Sequence, residues 1–299
     1  YKVSSGKDFK IDFIFNNEAI QIESSIENPI ENTKVIVSEE NKTYLAFIKI
    51  QSVYINKHNQ LLGLLDNYPQ EDDFYLKIKE EYSWEKKTFE EYYLQIIEKN
   101  KNNLAGKFVK AKKELTVPYE IPYNQRIDYY TKHFLDNIDY SDTCLIYSDI
   151  LTKSAINYIS LYSKQIKTKE DQQKIFTIPV DIILDKSISY PRVFNFLVDY
   201  MIEGFEGMGL SDVTYNIADR YTKLNSCEKT TDMTTLEKKV YSVKNLSIGS
   251  EAPDLTFQHK GKNISLESFG ETPIVLVFWA TWCPHCINEI PQIYNTYSS

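Results

Sequence analysis

Two thiols separated by two residues, Cys283 and Cys286, are the side chains of this sequence whose type and spacing could do covalent chemistry. They follow a run of apolar residues, Ile274 to Phe278, which predicts a strand buried on both faces, and the Trp279 to Trp282 turn then carries the thiols to a helix start. Two intervening residues let the sulfurs meet across one helical turn. The first sulfur then sits where free backbone N–H groups and the positive end of the helix dipole stabilise a thiolate. Cys283 is therefore the expected nucleophile, and the chemistry is thiol–disulfide exchange.

His285 lies between the two sulfurs, and its imidazole, when cationic, favours the negative form of Cys283. Thiolates in such settings have pKa values of roughly 3.5 to 7.5, against about 8.5 for a free cysteine, and stabilising the reduced form makes the disulfide a better oxidant. A zinc site would need a second Cys or His pair at ligand spacing, whereas Cys144 and Cys227 are isolated and His259 stands alone. A disulfide kept only as a staple is strained at this spacing. No metal and no cofactor is expected.

The stretches Gly249-Ser250-Glu251-Ala252-Pro253-Asp254-Leu255, Phe278-Trp279-Ala280-Thr281-Trp282-Cys283-Pro284-His285-Cys286 and Glu289-Ile290-Pro291 resemble the thioredoxin superfamily, in particular its TlpA/ResA-like branch. The resemblance implies that Cys283 attacks and Cys286 resolves, and that Pro291 is the proline that kinks the helix after the active site. Glu289 matches an acidic residue thought to assist proton movement at the cysteines; it reads equally as a solvated helix charge. The site residues are then Cys283, Pro284, His285, Cys286 and Glu289. The family fold also needs further strands, a further helix and a cis-proline loop, and only 246–299 of this chain carries the resemblance. The expectation is an incomplete domain whose Ile274–Phe278 strand is left as an exposed edge.

With 299 residues, two or three domains are expected, and 42% hydrophobic with 14% aromatic content supplies material for packed cores. A net charge of −8 without a basic stripe argues against nucleic acid. No apolar run reaches the length of a membrane span. The sequence begins at Tyr1, and a signal peptide or lipoprotein leader removed ahead of it is expected.

From Lys7 to Val37 the pattern alternates, with Phe9, Ile11, Phe13 and Phe15 on one strand face and Asn16-Asn17 and Asn28-Pro29 as turns, which predicts a short antiparallel sheet. This segment, from Phe13 to Lys42, resembles the tail of the small β-domain that precedes thioredoxin domains in many Bacteroidetes envelope proteins. Beyond it the pattern is helical: Tyr44–Leu65, a helix capped by Ser83 that carries Trp84, Phe89, Tyr92, Tyr93, Ile96 and Ile97, then Gln125–Leu135, Asp149–Tyr162, Asp171–Ile183, Arg192–Phe205 and Asp212–Leu224. Pro118, Pro122, Pro179, Pro191 and the Gly204, Gly207, Gly209 cluster punctuate them. Tyr129, Tyr130, Phe134, Phe194, Phe196, Tyr200 and Phe205 read as core at helical spacing, or as a groove for an unfolded client. His58 and His133 lack an obvious partner and are given no role. Cys144 and Cys227 read as buried free thiols, with a disulfide between them as the alternative.

The fold class that follows is α+β multidomain: a partial N-terminal antiparallel β-domain (1–40), a central all-α domain (41–243) and the start of a thioredoxin-like α/β fold (246–299). Two function classes remain in play. One is a thiol–disulfide oxidoreductase of the periplasm or cell envelope, lipid-anchored through a removed leader, acting on protein thiols or disulfides with an upstream redox partner. The other is a non-catalytic binding or scaffold subunit of an envelope or outer-membrane complex, with a mobile or vestigial thioredoxin segment.

Overall fold

The computed structural model describes residues 2–5, 9–27, 29–166, 168–224, 233–246, 249–270 and 273–298. The chain divides into two units, Tyr1–Ser247 and Ile248–Ser299.

In the first unit, β1 (Lys2–Ser5) and β2 (Phe9–Asp12) pair antiparallel. The strands β3 (Gln21–Glu23) and β4 (Lys34–Val37) form a second antiparallel ribbon, with the single turn α1 (Pro29–Asn32) between them. The strands are antiparallel, as the alternation predicts, but Asn16-Asn17 does not join two of them into a hairpin. The reason lies in Ile14, which directly follows the β2 region and is buried. Its N–H donates to Asn41 Oδ1 at 2.7 Å, and Asn41 Nδ2 donates to its carbonyl at 2.7 Å. One buried amide side chain thus occupies the place a neighbouring strand would take. The Asn16 turn is tied down instead by Glu40, whose carboxylate accepts from Asn16 Nδ2 at 2.9 Å and from Ala105 N at 2.7 Å.

Glu40 and Asn41 belong to α2 (Glu39–Asn67), a long helix capped by the Ser38 side chain and packed along α3 (Asp73–Lys99). Asp72, not Ser83, caps α3. Ser83 lies inside the helix and donates from Oγ to the Lys79 carbonyl at 2.8 Å, the alternative bond that a mid-helix serine finds. Phe47, Tyr54, Phe89 and Tyr93 fill the α2–α3 interface, with Tyr54 stacked on Phe89 at a centroid separation of 4.1 Å. The short α4 (Leu104–Lys112), which the periodicity did not mark, closes this cluster with Ala105 and Val109. A Cβ on Gly106 would lie 2.1 Å from the Asn100 carbonyl oxygen, so only glycine permits that approach.

Between α4 and α5 (Arg126–His133) the chain forms an irregular strap across α2. Gln51 holds it at two points, donating to the Lys112 carbonyl at 3.0 Å and accepting from Glu114 N at 2.9 Å. Arg126 Nε closes its far end on the Ile121 carbonyl at 2.9 Å while the guanidinium pairs with Asp66.

The remaining helices are α6 (Ile150–Leu161), α7 (Lys169–Ser187), α8 (Pro191–Gly207), α9 (Ser211–Leu224) and α10 (Thr235–Asn245). They share one core that includes Val180, Leu184, Val193, Ile202, Val213 and Ile217. Threonines open two of them in capping boxes, Thr168 with Asp171 and Thr234 with Glu237. Pro179, expected as a break, sits inside α7, buried in that helix. Its missing N–H removes one ladder bond, and the surrounding core keeps the helix continuous. Gly204 and Gly207 also lie within α8; the stop is Gly209, at φ 67°, followed by a Leu210 N–H bond to the Phe205 carbonyl at 2.9 Å. Of the aromatic residues weighed as core or groove, Phe194 and Phe205 are core, while Tyr130 and Phe134 line a cleft of about 760 Å³ between α2, the strap, α5 and α6.

The second unit begins with a hairpin that was not foreseen, β5 (Thr256–His259) paired with β6 (Lys262–Ser265). Lys260 and Gly261, both at positive φ, make its two-residue turn. Asp254 Oδ1 accepts from Leu266 N at 3.0 Å and fastens the base of the hairpin. The helix α11 (Pro284–Ser298) completes the unit.

Candidate redox site

Ile274–Phe278, predicted as a buried strand, forms neither strand nor helix, and its side chains are exposed: Val275 is 84% and Phe278 79% accessible. The correction has a simple cause. A strand exists through its neighbours' hydrogen bonds, and among the described residues β5 and β6 pair only with each other. The expected turn does follow, with Cys283 N donating to the Ala280 carbonyl at 3.1 Å.

α11 starts where the spacing placed it. Pro284 is its first residue, a position that spares the amide proline lacks. Cys283 is therefore at the N-cap, and its sulfur accepts from Cys286 N at 3.3 Å, while Ile287 N reaches the Cys283 carbonyl at 3.2 Å. A sulfur takes the part that a serine or aspartate oxygen usually plays at a helix start. Because the bonded donor belongs to Cys286, one helical turn brings together the two sulfurs and an N–H aimed at the first. Cys283 and Cys286 are joined as a disulfide with Cα atoms 5.3 Å apart, and both are half-buried.

His285 and Glu289 are exposed on α11, His285 between the cysteines and Glu289 three residues after Cys286. Pro291 lies inside the helix, as the motif implied. Exposure of both ionisable groups means that any charge they exert on the sulfurs is screened by water. Among the described residues, no three His, Cys, Asp or Glu side chains gather as a metal site requires.

The helix start places the two cysteines one turn apart with the Cys286 N–H on the Cys283 sulfur, and the sequence around it has known relatives. Residues 248–299 match the AhpC/TSA family. The thiol-disulfide oxidoreductase ResA of Bacillus thuringiensis subsp. konkukian is 38% identical over 53 residues, 17% of this chain and 31% of that protein. ResA of Bacillus subtilis is 35% identical over 65 residues, 21% of this chain and 36% of that protein. The chain thus spans about a third of the length of these curated relatives. No solved structure gave a significant match. The C-terminal unit is the start of a thioredoxin-like domain, and with the N-terminal strands and the central helices the fold class is α+β, as the sequence implied.

Elsewhere, of the two histidines without expected partners, His133 differs from that reading. His133 Nδ1 is 2.7 Å from Asp136 Oδ2, and this carboxylate also meets Lys186. Despite the cost of burial, the His133 and Lys186 contacts hold the Asp136 carboxyl below its ordinary range. His58 is buried between Tyr54 and Tyr82, with ring centroids 5.7 and 5.0 Å away. The i, i+4 spacing of Tyr54 and His58 on a buried face was the available signal. Cys144 is a free thiol, 3.4 Å from Lys107 Nζ; Cys227, its suggested partner, lies outside the described residues.

Proposed function

We propose that the C-terminal unit is the exchange site of a thiol–disulfide oxidoreductase in which Cys283 attacks and Cys286 resolves. The observation that carries this reading is the N-cap position of the Cys283 sulfur, bonded by the Cys286 N–H and linked to the Cys286 sulfur. In the reduced form, the Cys283 thiolate attacks one sulfur of a client disulfide and expels the other as a thiolate, leaving a mixed disulfide. The Cys286 thiolate then attacks Cys283 Sγ, expels the second client thiolate and leaves the Cys283–Cys286 disulfide. Two electrons have passed to the client, and a dithiol partner must return them. Pro284 sets the helix start. His285 and Glu289 are assigned supporting roles through charge and proton transfer.

Placement in the periplasm or cell envelope rests on the resemblance to the TlpA/ResA-like branch, and a lipid anchor belongs to the same reading. Among the described residues no helix is long and apolar enough to cross a membrane. The order of domains, a β-domain (1–40), a helical domain (41–243) and a thioredoxin-like unit (246–299), is part of the proposal; the division after Ser247 supports its last boundary, while 1–40 and 41–243 belong to one compact unit.

Trapping tests the assignment. In the full-length protein, Cys286→Ser should accumulate mixed disulfides with client proteins and Cys283→Ser should not, while Cys283 alkylates faster than Cys286 near neutral pH. Trapping by Cys283→Ser alone would reverse the two roles, and trapping by neither would remove the activity.

A further inference from the structure

The strap between α4 and α5 crosses α2 where Gln51, Tyr54 and His58 repeat at helical spacing. Gln51 grips it by two hydrogen bonds, and the Thr116 side chain stands at the Tyr54 hydroxyl. One turn further, the Val117 backbone touches the His58 imidazole. His58 is only 3% accessible, and its Nε2 is buried with no hydrogen-bond partner among the described residues. The Tyr82 hydroxyl of α3 is likewise buried and unpartnered; the Tyr119 backbone is close to it without forming a bond of ordinary geometry. Two orphaned polar atoms in facing rings are uncommon in a packed interior, where such groups are almost always paired.

The surroundings of His58 are those of a neutral ring. From α2 it meets Tyr54, from α3 Tyr82, and from the strap Val117; the charges that bear on it are Lys86 and Arg126, both positive, with Arg126 paired to Asp66. Tyr82 itself feels Glu120 and Arg126. Burial first, and the two cations after it, push the His58 pKa down, against the opposing effect of the Val117 contact. Tyr82 offers a protonated ring only an uncharged oxygen, since burial pushes its hydroxyl up to about 12. The strap also supplies Lys113, Glu114 and Leu115 to one wall of the 760 Å³ cleft.

We infer that His58 is a pH-sensitive latch: protonation of its buried ring releases the 113–121 strap from α2 and α3 and opens that wall of the cleft. The sign follows from linkage. A histidine held neutral in the closed state binds its proton more readily in the open one. The closed state is therefore fully favoured above the free-imidazole pKa of about 6.5 and loses ground as pH falls below it, by about tenfold in population per pH unit until the closed-state pKa is reached.

Hydrogen exchange on the full chain, corrected for intrinsic rates, reads this directly. Between pH 7.5 and pH 5.0, amides of 112–121 should lose protection by about tenfold per unit below pH 6.5, while the α8 core around Val193–Ile202 holds constant. In His58→Gln, which keeps a polar side chain without a titrating ring, the pH dependence should vanish. Equal loss across strap and α8, or a Gln variant that responds like the parent, overturns the latch. If the variant does not fold, the His58 ring protons in the parent decide. A midpoint below 6.5 that coincides with strap exposure supports the latch, whereas a midpoint at or above 6.5 or a strap indifferent to pH overturns it.

Discussion

Replacing Asn41 by Leu tests whether one buried amide stands in for a strand. The two side chains share a branched skeleton of four heavy atoms, so the substitution removes the hydrogen bonds while adding methyl bulk at the two ends. Asn41 is completely buried and serves both the N–H and the carbonyl of Ile14 at 2.7 Å, and its Nδ2 also donates to Ser38 Oγ at 2.8 Å. Ile14 is 2% accessible, so water does not easily replace what is lost. Each buried backbone group left unpaired costs about 1–3 kcal/mol, or about 2–6 kcal/mol for the pair. The lost Ser38 bond adds about 1 kcal/mol and burying a leucine side chain returns about 2 kcal/mol, which leaves a net loss of about 1–5 kcal/mol. That is a large part of the ~5–15 kcal/mol that holds a typical domain together. Urea unfolding should show the loss, and the Ile14 amide should exchange roughly 5- to 4,000-fold faster, at tenfold per 1.4 kcal/mol. Asn41→Asp adds a signature. A protonated carboxyl can accept from Ile14 N–H and donate to its carbonyl, so this variant should be impaired at pH 7 and recover as pH falls. A leucine variant within about 0.5 kcal/mol of the parent, with Ile14 equally protected, would refute the reasoning.

His285→Ala should make the Cys283–Cys286 disulfide harder to reduce, because a charged imidazole stabilises the reduced thiolate. With the ring exposed, even unit charges 4 Å apart are worth only about 1 kcal/mol in water, so the shift should stay below the ~30 mV that corresponds to 1.4 kcal/mol; equilibration with glutathione at acidic pH, with no change in the variant, would remove His285 from the site. Limited proteolysis should cut near 241–250, from the last turn of α10 onward, and leave the helical unit folded; cleavage within 41–240 with joint loss of cooperative melting would contradict independent units.

The local geometry of the candidate site was legible because its requirements are local. Cys283, Pro284 and Cys286 are separated by less than a helical turn, so spacing alone fixes the N-cap geometry that the structure shows. The long helices were legible for a similar reason, since apolar periodicity repeats many times within them. What escaped reading depended on distant partners. Ile274–Phe278 has the composition of a central strand, but composition does not supply the neighbours a strand needs. The Asn16-Asn17 turn does not make a hairpin because Asn41, 27 residues from Ile14, takes the backbone groups first. Ser83 and Pro179 carry local signals for helix ends that the tertiary core overrides. The i, i+3 spacing of His133 and Asp136 was visible, yet the second contact, from Lys186, comes from another helix.

The length of α2 has a kinetic consequence. At about 1.5 Å per residue, its 29 residues form a rod of roughly 43 Å. It meets α3 through a short turn, so that pairing closes a small loop. Its other partners arrive much later along the chain: Gln51 bonds Lys112 across 61 residues, Glu114 across 63, and Asp66 pairs with Arg126 across 60. Closing such loops costs entropy before the contacts repay it. During synthesis the α2–α3 pair, with Tyr54 on Phe89 and His58 on Tyr82, is therefore complete while the strap is still being made, and Gln51 waits without its backbone partners until the strap emerges. The order of assembly is written into one helix that gathers its neighbours in the order in which they are translated.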